Sequence, residues 1–374
     1  MTIMWIIIML LAISASIAGL IYLIFQASNF SFINSLSKGR RKLNILYSAL
    51  LLLAFIVAIW GMLGYTNMCV ILISLTIIWL LTDFIFYIAS KFNLKFANNR
   101  KRRVGLCAII LTSIYLGIGL FNAQHVSITN YSINTAKSVE PLKILQFSDS
   151  HIGTTFNGKG FKKHVEKMNS LNPDIIVITG DFIDGSSNYE DTMTAIEALS
   201  ALNPKYGVYF CFGNHDKNYY GEETRRNFTT KDLIAKFEEN HVQVLEDDIV
   251  ELDNGYVIIG RQDKSEENRA SISELMSEID INKYVIDLNH QPNDYDNEEA
   301  AGVDLVLSGH THGGQLFPIR EVGVIIGAND KTYGLEKRSD TNFIVSSGIS
   351  DWAMNFKTGC KSEIVVINIE PLNM

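Results

Sequence analysis

The first third of the chain is dominated by four apolar runs, at about residues 3–25, 43–63, 68–90 and 105–122. Each is close to the roughly 20 residues a helix needs to cross a hydrocarbon core. Backbone in lipid must satisfy its own hydrogen bonds, so the pattern predicts an N-terminal region, 1–122, of four transmembrane helices. Residues 123–142 are polar, rich in Asn, Ser and Thr, and without a convincing period, which predicts a linker. From 143 to 374 short β-rich runs alternate with amphipathic stretches at 160–171, 190–202, 231–240 and 271–281, and further strands are expected at 342–347 and 363–370. That alternation predicts strands paired with helices in one α/β domain large enough for its own core.

Charge adds a topology. The first 122 residues hold ten Lys or Arg, all within 38–42 and 91–103, against a single acid, Asp83. Both basic stretches follow odd-numbered helices, so both are expected on the cytoplasmic side, with the chain a multi-pass protein of the cell membrane and its C-terminal domain extracytoplasmic. The turn at 64–67 is uncharged, as an outer turn should be. The opening residues MTIMW lack the positive flank of a signal peptide, which favours a retained anchor. Asp83 marks either a polar site in the bundle or a carboxyl reaching the interface. The formal charge of −8 for the whole chain leaves −17 outside the membrane part, and so acidic a domain argues against nucleic acid as a partner.

The chemistry lies at strand ends. The runs KILQFS, DIIVIT, VYFCF, YVIDLN and VDLVLS precede, in order, Asp149 with His151, Gly180-Asp181, Gly213-Asn214-His215-Asp216, His290, and Gly309-His310-Thr311-His312. Five of the eight histidines fall in these motifs. Open α/β folds bind ligands at the carboxyl ends of strands, and mixed carboxylate, imidazole and amide ligation suits Mn²⁺, Fe²⁺ or Zn²⁺. Neither Cys211 nor Cys360 belongs to a CxxC pair, so a zinc finger is not expected; two buried free thiols are.

The segments SDSHIG (148–153), TGDFIDG (179–185), FGNHD (212–216), NHQP (289–292) and SGHTHGGQLFP (308–318) resemble the calcineurin-like metallophosphoesterase superfamily, and its bacterial membrane-associated branch in particular. The resemblance implies two mixed β-sheets packed as a sandwich flanked by helices. It implies two divalent ions, one held by Asp149, His151 and His312, the other by Asn214, His290 and His310, with Asp181 bridging them. A hydroxide activated by the ions would attack phosphorus. His215 would act as general acid or donate to the phosphoryl oxygens, and Asp216 would fix its tautomer or cap the following helix. Lys217, Tyr219 and Tyr220 are open as substrate contacts, within expected specificity loops at 156–163, 217–230 and 262–268.

The expectation is a membrane-anchored dinuclear phosphoesterase hydrolysing a phosphodiester or pyrophosphate of a phosphorylated small molecule or lipid, in or near the envelope. Two other readings stay open. One is the same hydrolase facing the cytoplasm and acting on nucleotide-like substrates. The other is a non-catalytic membrane sensor or scaffold that binds a phosphorylated ligand; its expected mark is erosion of the ligand set, which is intact here.

Overall fold

In the computed structural model, which describes residues 3–92, 100–219, 221 and 223–372, the chain divides into two compact units, Met1–Ile118 and Gly119–Met374. The first is helical: α1 (Ile3–Ala27), α2 (Ser31–Leu36), α3 (Arg41–Lys91) and the start of α4 (Arg100–Gln124). Among the described residues two helices, α3 and the stretch 103–124 of α4, are long and apolar enough to cross a membrane, in place of the four expected. The second and third apolar runs are joined without a loop in one 51-residue element, interrupted only at Gly64, where φ is 81° and ψ 171°. Glycine alone takes that conformation without strain. Leu52 and Leu75 nonetheless line one cavity. On a straight helix they would stand about 35 Å apart, so α3 folds back on itself there. α1 runs over 25 residues, Ile3–Ala27, of which 13–27 is an apolar helical stretch among the described side chains. Leu50, Leu53, Val57, Leu81 and Phe84 on α3 are exposed, more apolar surface than a water-soluble helix carries. Most of the second basic stretch, 93–99, lies outside the described residues.

The second unit contains two six-stranded sheets. The first uses β1 (Ser127–Thr135), β2 (Leu142–Phe147), β3 (Ile175–Thr179), β4 (Val208–Cys211), β5 (Val242–Leu245) and β12 (Glu363–Pro371), in the order β1-β12-β2-β3-β4-β5. The second uses β6 (Asp248–Glu251), β7 (Tyr256–Gly260), β8 (Tyr284–Leu288), β9 (Leu305–Ser308), β10 (Gly334–Arg338) and β11 (Thr341–Val345), in the order β10-β11-β9-β8-β7-β6. Both are mixed: β12 runs antiparallel to β2, β10 to β11 and β6 to β7, while β2-β3-β4-β5 and β7-β8-β9-β11 are parallel.

Residue alternation builds the layers. On β2, Ile144 faces the sandwich interior with Ile175, Tyr256 and Ile286, whereas Leu145 and Phe147 face a second core shared with Phe161, Ile196 and Phe237. Those last three come from α5 (Gly158–Ser170), α6 (Tyr189–Leu199) and, after the short α7 (Glu223–Arg226), α8 (Thr230–Glu239). The far face of the second sheet packs Val285 and Phe343 against Ile272 and Tyr295, from α9 (Ile272–Met276) and α10 (Tyr295–Ala301). Side chains that alternate across a strand thus fill three cores between four layers. Asn157, Asn188, Thr229 and Ser271 cap α5, α6, α8 and α9, which fixes their starts close to the expected positions.

The expected linker at 123–142 is corrected. Its central part is β1, paired in parallel with β12 over nine residues. The strand is an edge, with only Ile133 and Thr135 buried, so the apolar alternation that marks a strand is weak there and polar residues face out.

His164, on α5, stacks on Phe156 with ring centroids 4.5 Å apart. Burial, with Lys167 and Lys163 adding to it, pulls its pKa down to about 4. The fold therefore prefers neutral His164, and the stability this contributes is full above the ordinary pKa of about 6.5 and lost as pH falls towards about 4. The group is only partly buried, so the effect is expected to be about 1–2 kcal/mol after solvent screening. In metal-free protein the stability gap between wild type and His164→Phe should shift in favour of the variant from pH 7.5 to 5. A gap that does not move with pH would refute this.

Candidate metal centre

Because β2, β3 and β4 are parallel in one sheet and β8 and β9 in the other, their carboxyl ends lie on one edge of the sandwich. Asp149 and His151 follow β2, Asp181 follows β3, Asn214 and His215 follow β4, His290 follows β8, and His310 and His312 follow β9. Beneath them the buried Gln146 amide donates to Thr179 Oγ1 and to Ser308 O, 3.0 Å each, tying the two sheets together under the site.

The side chains gather into two groups. Asp149, His151 and His312 bring one ligand atom each within 4.8 Å of one another, and so do Asp181, His290 and His310. Asp181 touches both: its Oδ2 lies 3.2 Å from His290 Nε2 and 3.7 Å from His151 Nε2. Asn214 Oδ1 is 2.9 Å from His310 Nδ1, which adds an amide to the second group. His215 lies beside them, its ring 5.6 Å from that of His151 and 5.3 Å from Trp352. Its backbone N–H donates to Asp181 Oδ1 at 2.8 Å. All nine expected site residues thus reach one place, although Asp216 serves there differently, as described below.

The chain is strained around this cluster. Asp149, His151, Asp181, His310 and His312 all have positive φ, between 35° and 70°, a region non-glycine residues rarely occupy, at a cost of order 1–3 kcal/mol each. Two glycines give the space: a Cβ on Gly213 would stand 2.2 Å from Asp181 Oδ1, and one on Gly309 2.5 Å from Asp149 Oδ2.

The donor set fits divalent cations. Nε2 of His151, Nε2 of His290 and Nδ1 of His312 are buried without a hydrogen-bond partner, an arrangement that costs free energy unless something binds their lone pairs. His290 Nδ1 bonds to Thr179 O at 2.8 Å, so the ring turns Nε2 towards Asp181. Burial alone would raise Asp181, but His290 and His151 beside it hold its carboxyl well below the usual range. Burial and then His290 bring His310 down to about 4, and burial and then His151 bring His312 well below its ordinary value. His151 and His290 move the other way: against burial, Asp184 and Asp181 raise the first and Asp181 and Asp149 raise the second, so without metal these two rings hold protons that a bound ion would displace.

Three other expectations change. Asp216 is fully buried, and its carboxylate accepts the backbone N–H of Asp181 (2.7 Å), Gly213 (2.8 Å) and Ile183 (3.1 Å). It thereby holds two ligand-bearing loops, a role beyond the one expected of it at the His215 ring. Lys217 is paired with Glu246 and Glu266, and Tyr219 sits beside the same Glu266, so these residues brace the loop; Tyr220 lies outside the described residues. Cys211 and Cys360 are both free as expected, but only Cys211 is buried and Cys360 is half-buried.

One site residue went unread. Asp184 Oδ2 lies 3.4 Å from His151 Nδ1, and its Oδ1 accepts from Ser186 N and Oγ. Burial would raise this carboxyl, but His151 and Ser186 hold it well below the usual range. Its position three residues after Asp181, within the same motif, was the available signal. Outer carboxylates that orient a ligating imidazole typically set affinity by 10–100-fold. Asp184→Ala is therefore expected to weaken Mn²⁺ binding by about that factor, and unaltered titration curves would refute it. The cavity over the site, about 1060 Å³, is walled by Arg225, from the expected loop 217–230, and by Ile319, Arg320 and Trp352, which went unread.

Two mixed sheets that present two His/Asp groups at one edge define a metal-dependent phosphoesterase. The calcineurin-like phosphoesterase family matches residues 142–314. An uncharacterized metallophosphoesterase of Bacillus subtilis (strain 168) is 30% identical over 254 residues, covering 65% of this chain and 90% of that one. One of Aquifex aeolicus (strain VF5) is 31% identical over 252 residues, covering 65% and 91%. A transmembrane protein with metallophosphoesterase domain of Danio rerio is 30% identical over 291 residues, covering 71% of this chain and 62% of that protein's length. The chain belongs to the calcineurin-like phosphoesterases.

Proposed function

We propose that the protein is a membrane-anchored, dinuclear phosphoesterase of the family's bacterial membrane-associated branch, hydrolysing a phosphodiester or pyrophosphate bond of a substrate held in or near the membrane. The observation that carries the reading is Asp181, one carboxylate within 3.7 Å of an imidazole from each group. In this reading Asp149, His151 and His312 hold one ion, Asn214, His290 and His310 the other, and Asp181 lies between. When bound, such a pair supplies Lewis acidity and a nucleophilic hydroxide at neutral pH.

The remaining steps belong to the chain. His215 borders the cavity over both groups, placed to give a proton to the leaving oxygen or a hydrogen bond to the phosphoryl group. Arg225 and Arg320 in the cavity wall offer guanidinium forks to a second anionic group. Asp184 steadies His151, and Asp216 holds the loops of Asp181 and Asn214. The cationic ends favour one orientation of the anchor. Stretch 38–42 begins the first limb of α3 and 91–103 follows its second, so a fold-back at Gly64 sends both to one side, the cytoplasm by charge. One further crossing by α4 takes the catalytic unit to the outer side.

The test is hydrolysis of bis-p-nitrophenyl phosphate by the full chain in lipid nanodiscs with Mn²⁺. Activity is expected to vanish on chelation, return with metal, and fall about 10²–10⁴-fold in His215→Ala, the range a positioned acid supplies. Two bound ions without turnover on this or pyrophosphate substrates would support the non-catalytic sensor instead.

A further inference from the structure

We propose that the segment 319–326 is an apolar lip that receives the hydrocarbon chain of an amphiphilic phosphate ester, so that the substrate is lipid-like; this rests on the phosphoesterase reading above. Ile319, Val322, Val324, Ile325 and Ile326 are 57, 44, 37, 79 and 61% exposed. Five branched aliphatics thus lie open to solvent within eight residues, and the short helix α11 (Val322–Ile325) has no buried residue at all. A contiguous apolar surface of this kind marks a site of interaction.

The lip is continuous with the candidate metal centre. Ile319, Arg320 and Gly323 line the same cavity as His310 and His312. The lip is also pinned to the ligand loop: Thr311 Oγ1 donates to Thr332 O at 2.6 Å, and Thr332 Oγ1 donates to Glu321 Oε2 at 2.6 Å. Trp352, 43% exposed, extends the apolar edge towards His215. Polarity changes overall in one direction, from the His/Asp groups through Arg225 and Arg320, whose Nε lies 3.1 Å from the exposed Glu321, to the aliphatic surface of Val322, Val324, Ile325 and Ile326. A molecule matching that sequence has a phosphate ester at one end and hydrocarbon at the other. A protein or a second copy seated on the lip would cover the mouth of the cavity that substrate must enter. The chain also carries membrane-length helices, which would keep it where such amphiphiles are concentrated.

The probe is a series of n-alkylphosphonates from methyl to octyl, which cannot be hydrolysed, titrated calorimetrically into full-length protein in nanodiscs with Mn²⁺ and against protein-free nanodiscs. Affinity in wild type is expected to rise about two- to fourfold per added methylene. In Ile325→Asp/Ile326→Asp the octyl-to-methyl ratio should fall to that of protein-free nanodiscs, and Ile319→Ser should lower it in part. A flat series in wild type, or the same ratio in wild type and both variants, overturns the lip. Failure of the phosphoesterase reading looks different: methylphosphonate would not bind in a metal-dependent way, and bis-p-nitrophenyl phosphate would not be cleaved.

Discussion

Replacing Asp181 by alanine is expected to lower Mn²⁺-dependent hydrolysis of bis-p-nitrophenyl phosphate by more than about 100-fold, because loss of groups one shell further from a metal already has effects of 10–100-fold. Among the described residues Asp181 is the one carboxylate beside an imidazole of both groups, His151 at 3.7 Å and His290 at 3.2 Å. Its removal leaves the two groups facing each other without the carboxylate that touches both, Asp149 staying beside His312 in the first group. Two ions per chain should therefore fall to one or none by elemental analysis, in step with activity. Asp181→Asn separates charge from shape: it keeps the acceptor for His215 N–H, yet should lose the second ion as alanine does. Full activity with a single ion would refute the dinuclear reading while leaving the family intact.

The ligand set was legible because each member sits directly after a β-rich apolar run, and parallel strands bring such positions to one edge whatever the details of the loops. The layers were legible for a similar reason: Ile144, Leu145 and Phe147 alternate in the sequence as they alternate between cores. What escaped depends on contacts between distant residues. Nothing local tells that Asp216 accepts from the N–H groups of Asp181 and Ile183, more than thirty positions away. An edge strand such as β1 has one wet face and a partner, β12, more than two hundred residues on, so its composition passes for a linker. At Gly64, inside the expected turn 64–67, the two limbs of α3 meet without a loop, so two of the apolar runs share one element. Segment 319–326 has no ligand chemistry and, as a run of aliphatics, passes for core; only its exposure gives it a role.

Asp216→Ala is expected to be the most destabilising change at the site even without metal. The carboxylate is wholly buried and accepts three backbone N–H groups, from Asp181, Ile183 and Gly213. Alanine leaves all three without a partner in a place too closed for water to serve them equally well, and each such loss costs about 1–3 kcal/mol. Burial and the nearby Asp181 push the Asp216 pKa up to about 7, against the pull of the Gly213 and Ile183 N–H groups, so charge on this carboxyl is costly and the backbone bonds offset that cost only in part. A loss of about 3 kcal/mol or more corresponds to a fall in Tm of roughly 6–12 °C for a unit of this size. Asp216→Asn keeps acceptor capacity on one oxygen and should fall between wild type and alanine. The decisive comparison is with His215→Ala: if Asp216 acted through the His215 ring, the two alanine variants would lose activity alike and stability hardly at all. The bonds to Asp181 and Gly213 require instead that Asp216→Ala lower metal affinity and Tm together, while His215→Ala leaves metal stoichiometry at two.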